Sequence, residues 1–448
     1  MHEILANRHY VHRPACKMVN VLRFKGMPNI DRFKEAIRLA MSRHEILNTK
    51  VSINKDGQAF YEKIEEPLVK IDYQAYEAVE AEDLSEVETM LDIALDWVKD
   101  EDEIPLEINK GEYMHHGIFT DTKETVWAIS SHYLAGDAQS IQYLIRDVLF
   151  IYENEIESIE SIPLKPLDID LKQAFNDELN FLQRRQVNKL NKAWAKTNKS
   201  FSFEEYEYLY KRFHKHYSLS TLTMSLDEET SKSLIAKASA KDYHLNAVIA
   251  AAYNQVTEEN ETFTFPLSTR SKGYEGMGIY GGSVNVIPKR LSTNPDRLED
   301  NIIKINEELD KNMQDTSRLE RSNIIVANLN GNLIDSGYYA AFAEYKNQSA
   351  KEMQKLFSLH KTGSGMQINN LGLLDYPQEY SFGELEEVYY IPSIIPNFRR
   401  AISYNTFAGK LFFTSSYYQK DNVELLFLSR FKDLLTEFVN WAIIFVIK

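Results

Sequence analysis

The stretch His132–Ser140, HYLAGDAQS, gathers the side chains of this sequence that are best suited to chemistry. His132 carries an imidazole whose ordinary pKa of about 6.5 lets it take or give a proton near neutral pH. Tyr133 carries a phenol with a reference pKa of about 10, so it is protonated at neutral pH and donates a hydrogen bond. Asp137 supplies a carboxylate, Ser140 a hydroxyl, and Gly136 a position without a side chain. A second pair, His115 and His116, lies on a segment just upstream that reads as a strand, where neighbouring residues point to opposite faces. His116 is therefore a candidate to face the same cleft as a displaced base.

The surrounding sequence shows how these groups would be held. Thr125–Leu134, TVWAISSHYL, reads as a β-run, and SIQYLIRDVLFIYENE after it reads as an amphipathic helix. The chemical stretch thus sits on a strand-to-helix loop, where side chains are rigid yet accessible. Upstream, Met18–Phe24 reads as a strand and Ile30–Leu47 carries apolar residues at helical spacing. Lys50–Ile64 reads as a hairpin turning at Asp56–Gly57. Residues 155–215 are charge-rich, with KPLDID opening a helical stretch. They read as a connection with solvated helices on which His214 and His216 are surface residues. From Ser225, SLDEETSKSLIAKASAKDYHLNAVIAAAYNQV gives a capped start followed by two apolar helices. The apolar run WAIIFVI near the C-terminus is too short to span a bilayer and reads as the end of a buried helix.

HYLAGDA resembles the HHxxxDG signature of the condensation and chloramphenicol-acetyltransferase-like superfamily. His132 falls on the first His and Asp137 on the Asp, while Tyr133 takes the second, catalytic His position and Ala138 the Gly. Sliding by one residue would put His132 in the catalytic slot but leave Gly136 at the Asp position. Further segments extend the resemblance in the family's order. RHEILNT (Arg43–Thr49) is similar to its early "rHe.LRt" segment. FPLSTR (Phe265–Arg270) resembles the strand whose Arg pairs with the motif Asp. YGGSVNVIPKR (Tyr280–Arg290) resembles "GxFVNTLPLR", with Asn285 in the Asn position. INNLG (Ile368–Gly372) resembles a family turn, and YNTFAGKLFFTSSYY (Tyr404–Tyr418) a late hairpin.

The resemblance implies an α/β (α+β) fold of two chloramphenicol-acetyltransferase-like subdomains, each a mixed sheet flanked by helices, with a tunnel between them. The expected division is residues 1–175, a helical connection over 176–216, and residues 217–448. It implies catalytic roles for His132 and Tyr133, a structural pair of Asp137 with Arg270, and a substrate tunnel lined by Asn285, Gly136, Ser140 and His116. The activity implied is condensation-type transfer from a phosphopantetheine thioester, carried by an acyl or peptidyl carrier protein or by CoA, to an amine or alcohol. No bound cofactor is implied. The alternative is an inactive relative that keeps the fold to bind a carrier protein or partner enzyme, which the Tyr133 and Ala138 changes favour. The chain begins and ends with the fold, so carrier modules would be supplied in trans.

Composition narrows the partners. A length of 448 residues exceeds one ordinary core and calls for two subdomains. A net charge of −15 without a basic stripe argues against nucleic acid. The single Cys16 leaves no intramolecular disulfide and fits a reducing cytoplasmic setting. The N-terminus has no secretory leader, and no His pair has metal spacing with Cys or acidic partners.

Overall fold

The computed structural model describes the chain apart from residues 78–88, 166–169, 198, 258–261, 289–290, 293, 295–296, 315–316, 361–364, 395–397, 419–423 and 441–448. The WAIIFVI run and most of KPLDID therefore lie outside the described residues. Two six-stranded sheets organise the rest. The first runs, in spatial order, Glu379–Tyr380, Gly383–Ile391, Lys17–Gly26, Glu124–His132, Met114–Thr120 and Lys70–Ala75. The second runs Gly281–Val286, Thr262–Ser268, Gly365–Leu373, Phe398–Phe407, Lys410–Tyr417 and Ser220–Leu226. Both are mixed: Lys70–Ala75 lies parallel to Met114–Thr120, and Gly365–Leu373 lies parallel to both its neighbours. Each sheet packs helices over its own apolar cluster, which is the α/β architecture expected.

The strand Lys17–Gly26 is the spine of the first sheet. Met18, Val19, Val21, Leu22 and Phe24 are all buried, so both faces of the strand are covered. Two helices, Ile30–Arg43 and Ala138–Asn154, pack together and place Phe33, Ile37, Ile141 and Leu144 in the same core as Trp127. The hairpin at Asp56–Gly57 forms as its sequence dictates, with Gly57 at φ +82°, in the left-handed region that glycine tolerates best. Among the described residues, no helix is long and apolar enough to cross a membrane.

Several local expectations need correction. The helix from Ile30 stops at Arg43, not Leu47: His44 takes extended backbone and a short 3-10 turn, Glu45–Asn48, follows. The helix Glu228–Ala240 is capped by Asp227, whose side chain accepts from Thr230 N at 2.8 Å. Ser225 is still inside the strand Ser220–Leu226, whose pairing with Lys410–Tyr417 consumes the backbone up to Leu226. INNLG is not a free turn but part of the strand Gly365–Leu373, interrupted by a bulge between Asn370 and Leu373 where Gly372 sits at φ +74°. His214 is buried at 8% exposure rather than at the surface, because Tyr210 and Phe213 close over it; His216 is exposed.

The long-range organisation also departs from a simple division at residue 217. Residues 379–391, late in the chain, cross over to pair with Lys17–Gly26 in the first sheet. The helices Phe181–Trp194 and Phe203–His214 do more than connect halves. Trp194, Tyr206, Leu209 and Tyr210 pack with Leu333, Ile334, Tyr338 and Met353 as a separate apolar cluster. A salt bridge fastens the N-terminal segment to that cluster, with Arg8 donating to both oxygens of Asp335 at 2.8 and 2.6 Å.

Candidate active site

The motif strand Glu124–His132 ends by hydrogen bonding its last amide to Tyr113 O at 2.9 Å, and the chain then turns through the 3-10 segment Tyr133–Ala135. His132 Nδ1 accepts from Leu134 N at 3.0 Å, which places the ring proton on Nε2. That nitrogen faces Cys16 Sγ at 2.9 Å. His132 is 1% exposed, and burial, reinforced by Lys17 and Arg13, pushes its pKa down to about 3. Both ring nitrogens are thus engaged in holding the turn, and the ring stays neutral. Cys16 is no thiolate either: burial pushes its thiol up to about 12.

Tyr133 follows with its amide bonded to Cys16 O at 3.0 Å and its ring stacked on Tyr10, with centroids 5.0 Å apart and planes 5° from parallel. The side chain is half-buried. Burial raises its phenol above the ordinary value, opposed by the positive charge of Arg13 and by hydrogen bonding with Tyr390. The Tyr390 hydroxyl itself donates to Met18 Sδ at 3.7 Å.

The other side of the loop is a lock between the two sheets. Asp137 caps the helix Ala138–Asn154 by accepting from Ser140 N at 2.9 Å. The same carboxylate accepts from Arg270 Nη2 at 2.8 Å and from Tyr280 N at 2.9 Å. Arg270 also donates to Gly276 O and Ser140 Oγ, each at 2.6 Å, and lies over the Tyr280 ring at 4.6 Å. Ser140 Oγ is 2.6 Å from Gly278 O. The pair expected between Asp137 and Arg270 is therefore present, and Ser140 belongs to it rather than to a substrate wall. Removing one member leaves the other charge buried without a partner, which typically costs about 3–5 kcal/mol. Asp137→Ala also loses the helix cap. It should lower the unfolding free energy obtained from denaturant titration by an amount of that size, and a loss below about 1 kcal/mol would overturn this account.

Gly136 has extended backbone, at φ 164°, that any residue can adopt. Its glycine is a matter of space: a Cβ there would come within 2.5 Å of Ser140 Cβ. Gly136→Ala should destabilise the fold by about 1–3 kcal/mol through overpacking, measurable by thermal unfolding; an unchanged melting temperature would show that the loop has room to yield.

Two of the expected tunnel residues, His116 and Asn285, sit apart from the Asp137–Arg270 lock. His116 pairs with Ile129 on the motif strand, three residues before His132 and so about 10 Å away along it. It is fully buried, accepts from Trp127 Nε1 at 3.3 Å, and burial pushes its pKa down to about 3. His115 is held by Glu101 at 2.8 Å and Asp72 at 3.0 Å. Asn285 is exposed on an edge strand, accepting from Thr264 Oγ1 of the neighbouring strand at 2.7 Å. Conversely, the sequence reading missed Tyr10, Arg13, Cys16 and Tyr390. Only their proximity to the loop marks them, and Tyr390 comes from a strand 250 residues downstream. Among the described residues, no cluster of His, Cys, Asp or Glu could hold a metal ion.

Comparison with known proteins places this geometry in context. The condensation domain family profile matches residues 6–322. No curated protein matches the sequence. Among solved structures, the chain is similar to the condensation domain of the monacolin K polyketide synthase MokA, with a TM-score of 0.63 at 11% identity over 98% of this chain and 97% of that one. It is similar to the first condensation domain of the calcium-dependent antibiotic synthetase, solved with a substrate analogue, at TM-score 0.61 and 14% identity over 97% and 94%. The epimerization domain from the third module of tyrocidine synthetase B matches at TM-score 0.59 and 12% identity over 98% and 97%. At these identities the likeness establishes the fold.

Proposed function

Because the chain belongs to the condensation domain family, we propose that it is a condensation-type acyltransferase whose loop works through the phenol of Tyr133 rather than an imidazole. An acyl thioester, on a carrier protein's phosphopantetheine arm or on CoA, and an amine or alcohol acceptor would meet in a tunnel at this loop. The observation that carries the reading is the Tyr133 hydroxyl. It is protonated and half-buried, in the position where the family signature has its second His. A donor there can hydrogen-bond the oxyanion that develops as the carbonyl is attacked. The proton of the acceptor must then leave without a local imidazole base, since His132 is neutral with both nitrogens engaged. That requirement suits an acceptor that arrives uncharged and is held close, so that positioning supplies much of the rate.

A second reading is supported by the same absence of a free base around the loop: the scaffold could serve only to dock a carrier protein or partner enzyme. The experiment that separates the two is thiol release from a panel of acyl-pantetheine and acyl-CoA thioesters, with mixed amine and alcohol acceptors. Acceptor-dependent release by the wild-type protein supports transfer. Silence of the wild type with release by Tyr133→His supports the binding role.

A further inference from the structure

The N-terminal segment that walls the loop carries three cations within ten residues, and two of them are paired. Arg8 makes a two-pronged bond to Asp335 at 2.8 and 2.6 Å, and Lys17 reaches Glu101 at 3.1 Å. Arg13, between them, is different. Its Nη2 approaches only Ser393 Oγ, at 3.5 Å, and its Nε is buried with no acceptor. Among the described residues it has no carboxylate partner. A guanidinium drawn out of water without a counter-charge is costly. The face of Tyr10, 5.4 Å from its Cζ, offsets only about 0.5–1 kcal/mol of that.

Arg13 is also placed where it matters. It and Tyr133 both lie against the same ring, Tyr10, at 5.4 and 5.0 Å. Its charge opposes the burial-driven rise of the Tyr133 phenol, as it does for Tyr338 and Tyr10. The site therefore combines a planar cation that has no carboxylate partner among the described residues with the phenol of Tyr133, among tyrosine rings. Ser393 adds no donor, because its hydroxyl proton is committed to Ala15 O at 2.7 Å.

We propose that Arg13 and Tyr133, which share the ring of Tyr10, form a recognition site for a carboxylate on the substrate. The assignment rests on the reading of Tyr133 as the group that meets substrate. Its class follows from charge and shape. One guanidinium neutralises one carboxylate and matches its plane with two parallel N–H donors. A phosphate dianion would call for further cations or converging backbone amides, and this wall offers tyrosine rings instead.

The test is binding, not turnover, so it is independent of whether the protein transfers acyl groups. Calorimetric titrations of the full chain with benzoate, benzamide and inorganic phosphate would be run on wild type, Arg13→Gln, Arg13→Lys and Tyr133→Phe. Benzoate should bind the wild type, weaken roughly tenfold to a hundredfold in Arg13→Gln, and recover part of that loss in Arg13→Lys. Tyr133→Phe should weaken it less, and benzamide should bind more weakly than benzoate and ignore Arg13→Gln. Arg13→Gln breaks no ion pair, so its melting temperature should match wild type and exclude unfolding as the cause. The proposal is overturned if benzoate fails to bind the wild type, binds Arg13→Gln equally well, or is matched by benzamide. Tighter binding of phosphate than of benzoate would overturn the carboxylate class. Thiol release without benzoate binding would leave acyl transfer standing and remove this site, and the reverse result would do the opposite.

Discussion

Tyr133→Phe is expected to reduce acceptor-dependent thiol release by about 10²–10³-fold, the usual effect of deleting one donor to a developing oxyanion. The substitution removes a single hydroxyl. The ring keeps its stack on Tyr10 and the backbone keeps its bond to Cys16 O, so the fold should persist, with a loss of about 1 kcal/mol for the hydrogen bond with Tyr390. The comparison that gives this force is Tyr133→His. An imidazole in that position would be held neutral at pH 7 by the same burial and by the same Arg13 charge that act on the native phenol. It would then be a base in the place where the family signature expects one, at the expense of the phenolic donor. Unchanged release in Tyr133→Phe would remove the phenol from the mechanism. Since each decade of rate is about 1.36 kcal/mol, the predicted loss corresponds to roughly 3–4 kcal/mol of transition-state stabilisation.

Acid is expected to unfold this protein steeply. His12, His116, His132 and His214 are all buried, and burial pushes their pKa values down to about 4, 3, 3 and 4. In the unfolded chain each returns to about 6.5. Below that pH the unfolded state takes up protons that the folded state refuses, so the stability these residues allow at neutral pH is lost as pH falls. Asp102 works the other way: burial raises its carboxyl to about 6, so the folded state binds its proton first. His9, likewise pushed down to about 3 by burial, adds a fifth, and five protons against one leave a net of about four, or about 5 kcal/mol per pH unit around pH 5. A domain with a total stability of about 5–15 kcal/mol cannot absorb that for long. Urea midpoints measured at pH 7.5, 6.5 and 5.5 should therefore fall with increasing slope. Midpoints that stay level down to pH 5.5 would show that these rings are solvated or charged in the fold.

Much of the scaffold was legible because it depends on short-range pattern. The strand into His132 and the helix after it follow from apolar alternation giving way to 3.6-residue spacing, and Asp56–Gly57 is a turn by its own backbone preference. The partnership of Asp137 with Arg270, 133 residues apart, came from motif resemblance, since no local rule connects them. The misreadings share a cause. Ser225 is an adequate cap by type, but sheet pairing holds it in a strand, so the next suitable side chain, Asp227, caps instead. His214 looks solvated among its charged neighbours, yet it packs between Tyr210 and Phe213 and faces Asp102, more than 100 positions away, at 3.8 Å.

The candidate site divides along the same line. The sequence by itself determined that a histidine, a phenol and a carboxylate share one strand-to-helix loop, and that the usual second histidine of such a loop is Tyr133. Tertiary structure alone decided what those groups can do. It turned His132 away into a buried bond with Cys16, set Tyr133 against Tyr10 and Tyr390, and left Arg13 beside them without a counter-charge among the described residues. The reason is physical. Residue type fixes which proton a group can carry, whereas burial and neighbouring charges fix whether it carries it, and those neighbours come from distant parts of the chain.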